Sequence, residues 1–299
     1  MAIGGTGKGS LKKREALTGW LFVMPELIGF SIFTFFAIGY SFYISLTKYE
    51  LLSAPKFVGL RNYARLFRDA KFFKYLGNTL YFVVALVPLV LVISMALAIL
   101  INKKTKVLTN IYRSALFLPC ITSTIAVSLV WIWILNPDIG VINTVLRALN
   151  VQNPPRWLES IVWAKPALIV MRVWQMAGYY MIMFLTGLQG IPDSLYEAAD
   201  MDGATKWQKT RCITVPMLAN TTFVVAIMLI IEAFNIFEAV FVMTEGGPLG
   251  STNTLMYYIY QLGFQNYNMG YASSVAWIFF AMVLGVTMIQ YAFRKEMQM

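Results

Sequence analysis

Polar side chains within long apolar runs are the residues of this chain best suited to chemistry. Glu232, Asn235 and Glu238 follow one another at three-residue steps, which predicts one broad helical face. A second set, with i, i+3 and i+7 spacing, consists of Arg172, Gln175 and Tyr179. Ionisable residues inside apolar spans are costly and are therefore functional candidates. The alternative is that Arg172 and one glutamate form a buried pair that only fixes helix packing.

Other kinds of site are disfavoured by residue type. The chain has no histidine and two cysteines, Cys120 and Cys212, without metal-ligand or disulfide spacing. The early GGTGKGS stretch lacks the spacing and the preceding strand of a phosphate loop. The net charge of +10 lies in loops between apolar runs, which favours membrane-surface charge over nucleic-acid binding. We therefore expect no catalytic residues, no metal and no cofactor on this chain.

Composition indicates the elements that position these polar residues. The 299 residues are 59% hydrophobic and 13% charged, whereas soluble domains carry about 25% charged residues. Runs of about twenty apolar residues can cross the hydrocarbon core as helices. The sequence predicts an all-α polytopic membrane protein with a basic, disordered tail over 1–18, a membrane domain over 19–293 and a short end over 294–299. Six spans are predicted at 20–46, 79–101, 114–135, 166–188, 217–243 and 271–293.

The distribution of positive charge predicts the orientation. An even number of spans puts both termini on one side, and short cytoplasmic loops favour Lys and Arg. With both termini inside, the inner segments carry 13 Lys and Arg and the outer loops carry 10. Seven of those ten lie in the outer loop over 48–74, against the rule. The prediction that both termini are cytoplasmic therefore depends mainly on the basic residues of the N-terminal tail and of the short loop after the second span.

A polar loop over 189–216 separates the fourth and fifth spans. Ser194 and Glu197 have the S-x-x-E spacing of a capping box, which predicts the start of a short helix. Gly203 is expected to interrupt that helix, and Pro216 to open the fifth span. The product would be a compact helix–turn–helix with small alanines at its tip, suited to close approach by a partner.

This loop resembles the signature of permease subunits in binding-protein-dependent ABC importers: E-A-A, three residues, Gly, nine residues, then I-x-L-P. The chain has Glu197, Ala198, Ala199, Gly203, Ile213 and Pro216 at that spacing, with Val215 in place of the usual leucine. The resemblance implies a type I importer permease fold and makes the loop a cytoplasmic coupling helix. The residues implied to contact the ATPase are Glu197, Ala198, Ala199, Asp202 and Gly203.

Three further segments resemble the carbohydrate branch of that family, which includes the maltose and glycerol-phosphate types. They are FVGLRNY at 57–63, NPDIGVIN at 136–143 and TEGGP at 244–248 followed by Ser251 and Thr252. The resemblance implies a bacterial-type cell membrane and three kinds of partner: a second, distinct permease, two cytoplasmic ATPases that bind ATP and Mg, and an extracytoplasmic binding protein. Gly246, Gly247 and Pro248 form a rigid outer turn that would serve as a gate or contact the binding protein.

The resemblance also places the central cavity partly on the fifth span. Sugars are commonly held by carboxylates, amides and an aromatic platform, so the tentative substrate residues are Asn235, Glu238, Glu232, Gln175, Tyr179 and Arg172. The glutamates could instead face the partner permease. Other open alternatives are an importer of a non-sugar solute such as an amino acid, phosphate or peptide, and a stand-alone channel or a membrane-embedded enzyme.

Overall fold

The computed structural model describes residues 7–102 and 106–297 of this chain, and helices dominate these residues. Within them, five helices are long and apolar enough to cross a membrane, and a bent helix pair supplies a sixth crossing if it counts as one span. The predicted all-α membrane fold is confirmed. The chain consists of two compact units.

The first unit combines the chain up to Leu66 with Leu262–Trp277. Its elements are α1 (Gly7–Phe30), a π-helical stretch (Ser31–Phe36), α2 (Ala37–Ser45), β1 (Thr47–Lys48), β2 (Lys56–Phe57), α3 (Arg61–Leu66) and a second π-helical stretch that begins at Gln261 (Gln261–Gln265). The strands pair antiparallel, with Thr47 opposite Phe57. The apolar side chains of the Glu15–Ser45 segment stay largely exposed within the chain, as expected of a helix that faces lipid or another protein.

The predicted FVGLRNY segment has a structural role in this unit. The Asn62 amide donates to the carbonyls of Ser45 and Thr47, both at 2.8 Å, and so satisfies groups freed where α2 ends. The Thr47 carbonyl also lies against Gly270, where any side chain would overlap it. The segment therefore joins the end of α2 to the antiparallel pair of β1 and β2.

The second unit contains the remaining helices and both candidate sites. They are α4 (Ala70–Asn102), α5 (Lys106–Ile121), α6 (Thr124–Ile134), α7 (Val141–Ala148), α8 (Ala164–Gln189), α9 (Asp193–Met201), α10 (Lys206–Lys209), a π-helical stretch (Thr210–Thr214), α11 (Val215–Met217), α12 (Ala219–Phe234), α13 (Glu238–Met243) and α14 (Leu255–Tyr260). The last helix, α15 (Met269–Met297), begins in the first unit and ends in the second.

Helix α8 forms the centre of the second unit, packed against α4, α5 and α12. Its buried side chains include Met181, Phe184 and Leu185. Gly178 faces the backbone of α5, and a Cβ there would overlap the carbonyl of Leu116. The absence of a side chain at Gly178 therefore allows α8 and α5 to approach closely, as small residues do in membrane bundles.

Two elements differ from the sequence prediction. Helix α1 begins at Gly7, where a disordered tail over 1–18 was expected; residues 1–6, and 298–299 of the short end, lie outside the described residues. The predicted third span is two helices, Leu108–Ile121 and Thr124–Ile134, bent by 97°. Ser123 adopts an extended conformation at the bend. The Gln175 amide of α8 donates to the freed Thr122 carbonyl at 3.4 Å, so a neighbouring helix compensates the break.

Candidate functional site

The fifth span is interrupted where its polar residues lie. Helix α12 ends at Phe234, Asn235 is its C-cap residue, and Glu238 begins α13. The predicted continuous face of Glu232, Asn235 and Glu238 is therefore wrong in detail, because the helix does not run through it. Thr254 holds the break in place by donating a buried hydrogen bond of 3.0 Å to the carbonyl of Ile236.

The break opens onto a cavity of about 730 Å³. Five of the six predicted substrate residues line it: Arg172, Tyr179, Glu232, Asn235 and Glu238. Thr124, at the start of α6, lies on the wall as well. The cavity thus gathers polar residues from α6, α8 and the broken fifth span, although they are far apart in sequence.

Arg172 is the centre of a hydrogen-bonded network in the wall. Its side chain is 10% exposed, and Nη2 lies 2.8 Å from Oε1 of Glu232, whose side chain is 46% exposed. Nη1 donates to Gln175 at 2.7 Å, and the Tyr180 hydroxyl donates to the other Glu232 oxygen at 3.4 Å. The alternative in which Arg172 pairs with one glutamate is therefore observed, with Glu232 as the partner. The pair links α8 to α12 and also borders the cavity.

Gln175, the sixth predicted substrate residue, does not line this cavity. It is 4% exposed, and its amide donates to the Thr124 hydroxyl at 3.3 Å and to the Thr122 carbonyl. The i, i+3 spacing correctly placed Gln175 beside Arg172. Its side chain is buried, however, because it points from α8 toward the bend between α5 and α6. Its observed contacts position Arg172 and the start of α6.

Asn235 and Glu238 present oxygen atoms to the cavity. The Asn235 amide nitrogen donates to the Ile231 carbonyl at 2.8 Å, which leaves the side-chain oxygen as an acceptor and the second amide hydrogen as a donor. Glu238 is exposed and lines the same wall. Phe237 lies between them and belongs to a four-ring cluster with Phe241, Tyr257 and Tyr260, its closest ring centroid at 5.3 Å. The wall therefore combines acceptors with an aromatic surface.

The polar loop 189–216 contains the expected helix–turn–helix, with a different cap. Helix α9 follows Pro192, and no side chain caps it, so the capping box predicted for Ser194 and Glu197 is wrong. A capping box is instead present at the next helix, α10. Thr205 Oγ1 accepts from the backbone N–H of Gln208 at 3.3 Å, and the Gln208 side-chain oxygen accepts from the backbone N–H of Thr205 at 2.7 Å. The proline imposes the turn geometry before α9, so that helix begins without a side-chain cap.

Gly203 ends α9 in a Schellman motif. Its φ is +73°, and its N–H donates to the Asp200 carbonyl while the Ala204 N–H donates to the Ala199 carbonyl. Asp202 is the C-cap residue. The expected interruption at Gly203 is confirmed, and its cause is the left-handed conformation that glycine adopts without a Cβ penalty.

The outer face of this loop makes few contacts within the chain. Glu197, Ala198, Asp202 and Gly203 are exposed, and Ala199 is half-buried. Met201 is 90% exposed and Trp207 is 71% exposed, which is unusual for large apolar side chains flanking a polar helix.

The inner side of the loop is tied together by two polar contacts. Lys209 pairs with Asp200, joining α10 to α9. The Tyr196 and Thr214 hydroxyls lie 2.9 Å apart. The loop is therefore a hairpin of two short helices, held together by these contacts and left uncovered on its outer face.

The turn after the fifth span is anchored to α4. Gly246 has a φ of +78°, and a Cβ there would lie 3.0 Å from side-chain atoms of Asn253 and Tyr257. Asn78 donates to the Gly250 carbonyl at 3.0 Å and to the Asn253 carbonyl at 2.8 Å.

Gly247 and Pro248 lie in the same turn, and Lys74 donates to the Leu249 carbonyl at 2.7 Å. Sequence reasoning missed Lys74 and Asn78 as anchors. Their one visible signal is that both are polar residues at the start of an apolar run.

Comparison with known proteins agrees with this geometry. Residues 64–298 match the family described as binding-protein-dependent transport system inner membrane component. The chain is 37% identical over 294 residues to the probable ABC transporter permease protein YesP of Bacillus subtilis, covering 95% of this chain and 94% of YesP. It is 34% identical to the lactose transport system permease protein LacF of Rhizobium radiobacter, covering 97% and 98%.

A solved structure shares the fold over nearly the whole length. It is a bacterial ABC transporter involved in the import of the acidic polysaccharide alginate, with a TM-score of 0.84, 23% identity and coverage of 95% of this chain and 96% of that chain. At this identity the likeness concerns the fold alone. The family match, the identity to relatives over nearly their whole length and the shared fold show that the chain belongs to the binding-protein-dependent transport system inner membrane components.

Proposed function

We propose that this chain is the membrane-spanning permease of an ATP-driven importer and that it translocates a carbohydrate by alternating access. The single observation that carries this proposal is the continuity between the exposed hairpin of α9 and α10 and the broken span that lines the cavity. From Lys206 the chain runs through a π-helical stretch and α11 into α12, which ends at Phe234, directly before Asn235. A movement of the hairpin would therefore be transmitted along one helical path to the cavity wall.

Carbohydrate is the cargo class that the relatives and the cavity support together. LacF is named for lactose transport. The wall offers carboxylate and amide oxygens beside the aromatic ring of Phe237, and this combination suits a hydroxyl-rich ring. Within the proposal, Asn235, Glu238 and Tyr179 contact the saccharide, while the Arg172–Glu232 pair shapes the wall.

The proposed partners follow from the uncovered surfaces and the family. The exposed face of α9 docks on one of two cytoplasmic ATPase subunits, where ATP is hydrolysed. A second, distinct permease completes the cavity, and an extracytoplasmic binding protein delivers the saccharide near Gly246–Pro248. A solved complex of the alginate transporter, by its description, contains a ligand-bound periplasmic protein. Both termini and the polar loop are then cytoplasmic.

The coupling role can be tested in the reconstituted importer. Glu197→Lys reverses a charge on the exposed face of α9, and Gly203→Pro removes the N–H that closes the Schellman motif. We expect both variants to lose ATPase association on co-purification and saccharide-driven transport. Glu159→Lys reverses another exposed carboxylate, outside the hairpin, and should transport like the parent chain. Full transport by both hairpin variants would refute the coupling role.

The cargo class needs a separate measurement. The complex is assembled with its binding protein, and ATPase stimulation is recorded for a panel of saccharides, amino acids, phosphate and peptides. Stimulation by a saccharide is expected. Stimulation by an amino acid with none by any saccharide would replace the carbohydrate proposal with another importer, and ionic current through the chain purified alone would favour a channel.

A further inference from the structure

The charge of the cavity is not balanced. Among the described lining residues, Arg172 is the one cation, and Glu232 and Glu238 are the two carboxylates. Arg172 lies 2.8 Å from Glu232, so these two charges compensate each other. Within the described part of the chain, Glu238 is in none of the ion pairs. The wall contributed by this chain therefore carries one net negative charge.

The hydrogen-bonding groups show the same bias. Both terminal nitrogens of Arg172 donate to protein oxygens, and its Nε is buried from the cavity. The Asn235 amide nitrogen donates to the backbone at 2.8 Å. What remains on the wall is the acceptor-only carboxylate of Glu238, the Asn235 side-chain oxygen with one amide hydrogen, and the hydroxyls of Tyr179 and Thr124. The one charged group among them, Glu238, is therefore an acceptor. Such a wall binds ligands that bring O–H or N–H donors.

We propose that this cavity selects its cargo by charge: it accepts neutral and amino-bearing saccharides and repels saccharides that carry carboxylate, sulfate or phosphate groups. Glu238 is the residue that sets this preference. A cleft with low-dielectric walls focuses the field of an unpaired charge, which strengthens the effect relative to open water. The inference rests on the proposed function and deepens it, because it names the class of saccharide.

The potential of the cavity can be measured without knowing the cargo. In the full complex, Cys120 and Cys212 are replaced by serine, and Ile231→Cys supplies one reporter thiol on the wall. Its modification rate is measured with a cationic trimethylammonium-ethyl methanethiosulfonate and an anionic sulfonatoethyl methanethiosulfonate. Each rate is divided by that of a free thiol. We expect the cationic reagent to be favoured about tenfold, the lower end of the range for charged clefts.

Variants at one position assign the effect. Glu238→Gln should bring the ratio close to one, Glu238→Asp should retain it, and Glu159→Gln, a carboxylate outside the cavity, should leave it unchanged. Met256→Cys provides a second reporter on the same wall. A ratio at or below one in the parent chain, or one that Glu238→Gln does not change, would overturn the inference. So would a lack of reaction with both reagents at both thiols, because the proposal needs an accessible cavity.

The outcome is separable from the proposed function. If no saccharide stimulates the assembled importer, the carbohydrate proposal fails whatever the reagent ratio. If a saccharide does stimulate it, comparison of maltotriose with trigalacturonate completes the test. Equal stimulation by the two would contradict charge selection while leaving carbohydrate import intact.

Discussion

The cavity in the fifth span and the hairpin in the polar loop are ordered by different kinds of contact. In the hairpin, the Schellman motif at Gly203, the Thr205–Gln208 capping box and the Lys209–Asp200 pair join residues within ten positions of one another. At the cavity wall, Arg172 reaches Glu232 across sixty positions, and behind the wall Gln175 reaches Thr124 across 51. One region is held by local sequence and the other by the packing of distant helices.

This difference separates the effects expected from mutation. The local contacts join residues within one short segment. Their loss should therefore destabilise the hairpin of α9 and α10 and leave the stability of the helix bundle unchanged. Long-range contacts hold helices together, so their loss should lower the stability of the whole unit. Three substitutions, taken in order of decreasing effect, distinguish the two kinds of contact.

Glu232→Leu should be the most damaging of the three. It leaves the Arg172 guanidinium, 10% exposed, without its carboxylate acceptor, and a buried charged donor that loses its acceptor costs about 3 kcal/mol. The measurement is thermal unfolding of the detergent-purified complex, followed by tryptophan fluorescence. The double variant Arg172→Met/Glu232→Leu should recover most of the loss. If the double variant is no more stable than the single one, the pair is not what holds α8 to α12.

Gly178→Ala should be the next largest in effect. The added Cβ would overlap the Leu116 carbonyl, so α8 and α5 must separate, at a cost of about 2 kcal/mol. Gly77→Ala is the matched control, because that glycine lies in α4 with nothing within 4 Å of the added Cβ. The control should be neutral or slightly stabilising in the same thermal assay. Equal losses in the two variants would remove the special role of the α5–α8 contact.

Thr205→Ala should have the smallest effect and the most local one. It removes the side-chain cap of α10, worth about 1 kcal/mol, and hydrogen exchange should quicken within α10 and the stretch after it. Exchange in α8 and α12 should stay unchanged. Ser194→Ala is the paired control, since no side chain caps α9. Faster exchange throughout the bundle would mean that the hairpin and the bundle form one cooperative element and that the hairpin is not held by local contacts alone.

Much of the architecture could be predicted from apolar runs alone. The helical membrane fold, the family and the hairpin between two spans followed from span length and from the fixed spacing of Glu197, Gly203 and Pro216, and the structure and comparisons confirm them. Other predictions remain untested, namely the orientation of the termini, the contacts of Glu197 to Gly203 with an ATPase and the contacts of Asn235 with cargo.

The errors have physical causes. A capping-box spacing occurs at both Ser194 and Thr205, and the residue types do not say which one forms; the proline before α9 decides. The third span was predicted as a single span over 114–135, because a run of about twenty mainly apolar residues is long enough to cross the membrane. Its 97° bend depends on the extended Ser123 and on a hydrogen bond from Gln175 of another helix.

Residue types and their spacing are enough to predict that this chain lies in lipid and that its polar loop turns between two short helices. Apolar length requires helices in lipid, and Gly203 supplies the left-handed residue that ends α9. Which polar residues meet, by contrast, depends on the tertiary structure. It broke the fifth span at Asn235, buried Gln175 behind Arg172 and paired Arg172 with Glu232, so that Glu238 remained uncompensated on the cavity wall. These outcomes depend on how α6, α8 and α12 pack, because residue spacing along one helix does not fix contacts between helices.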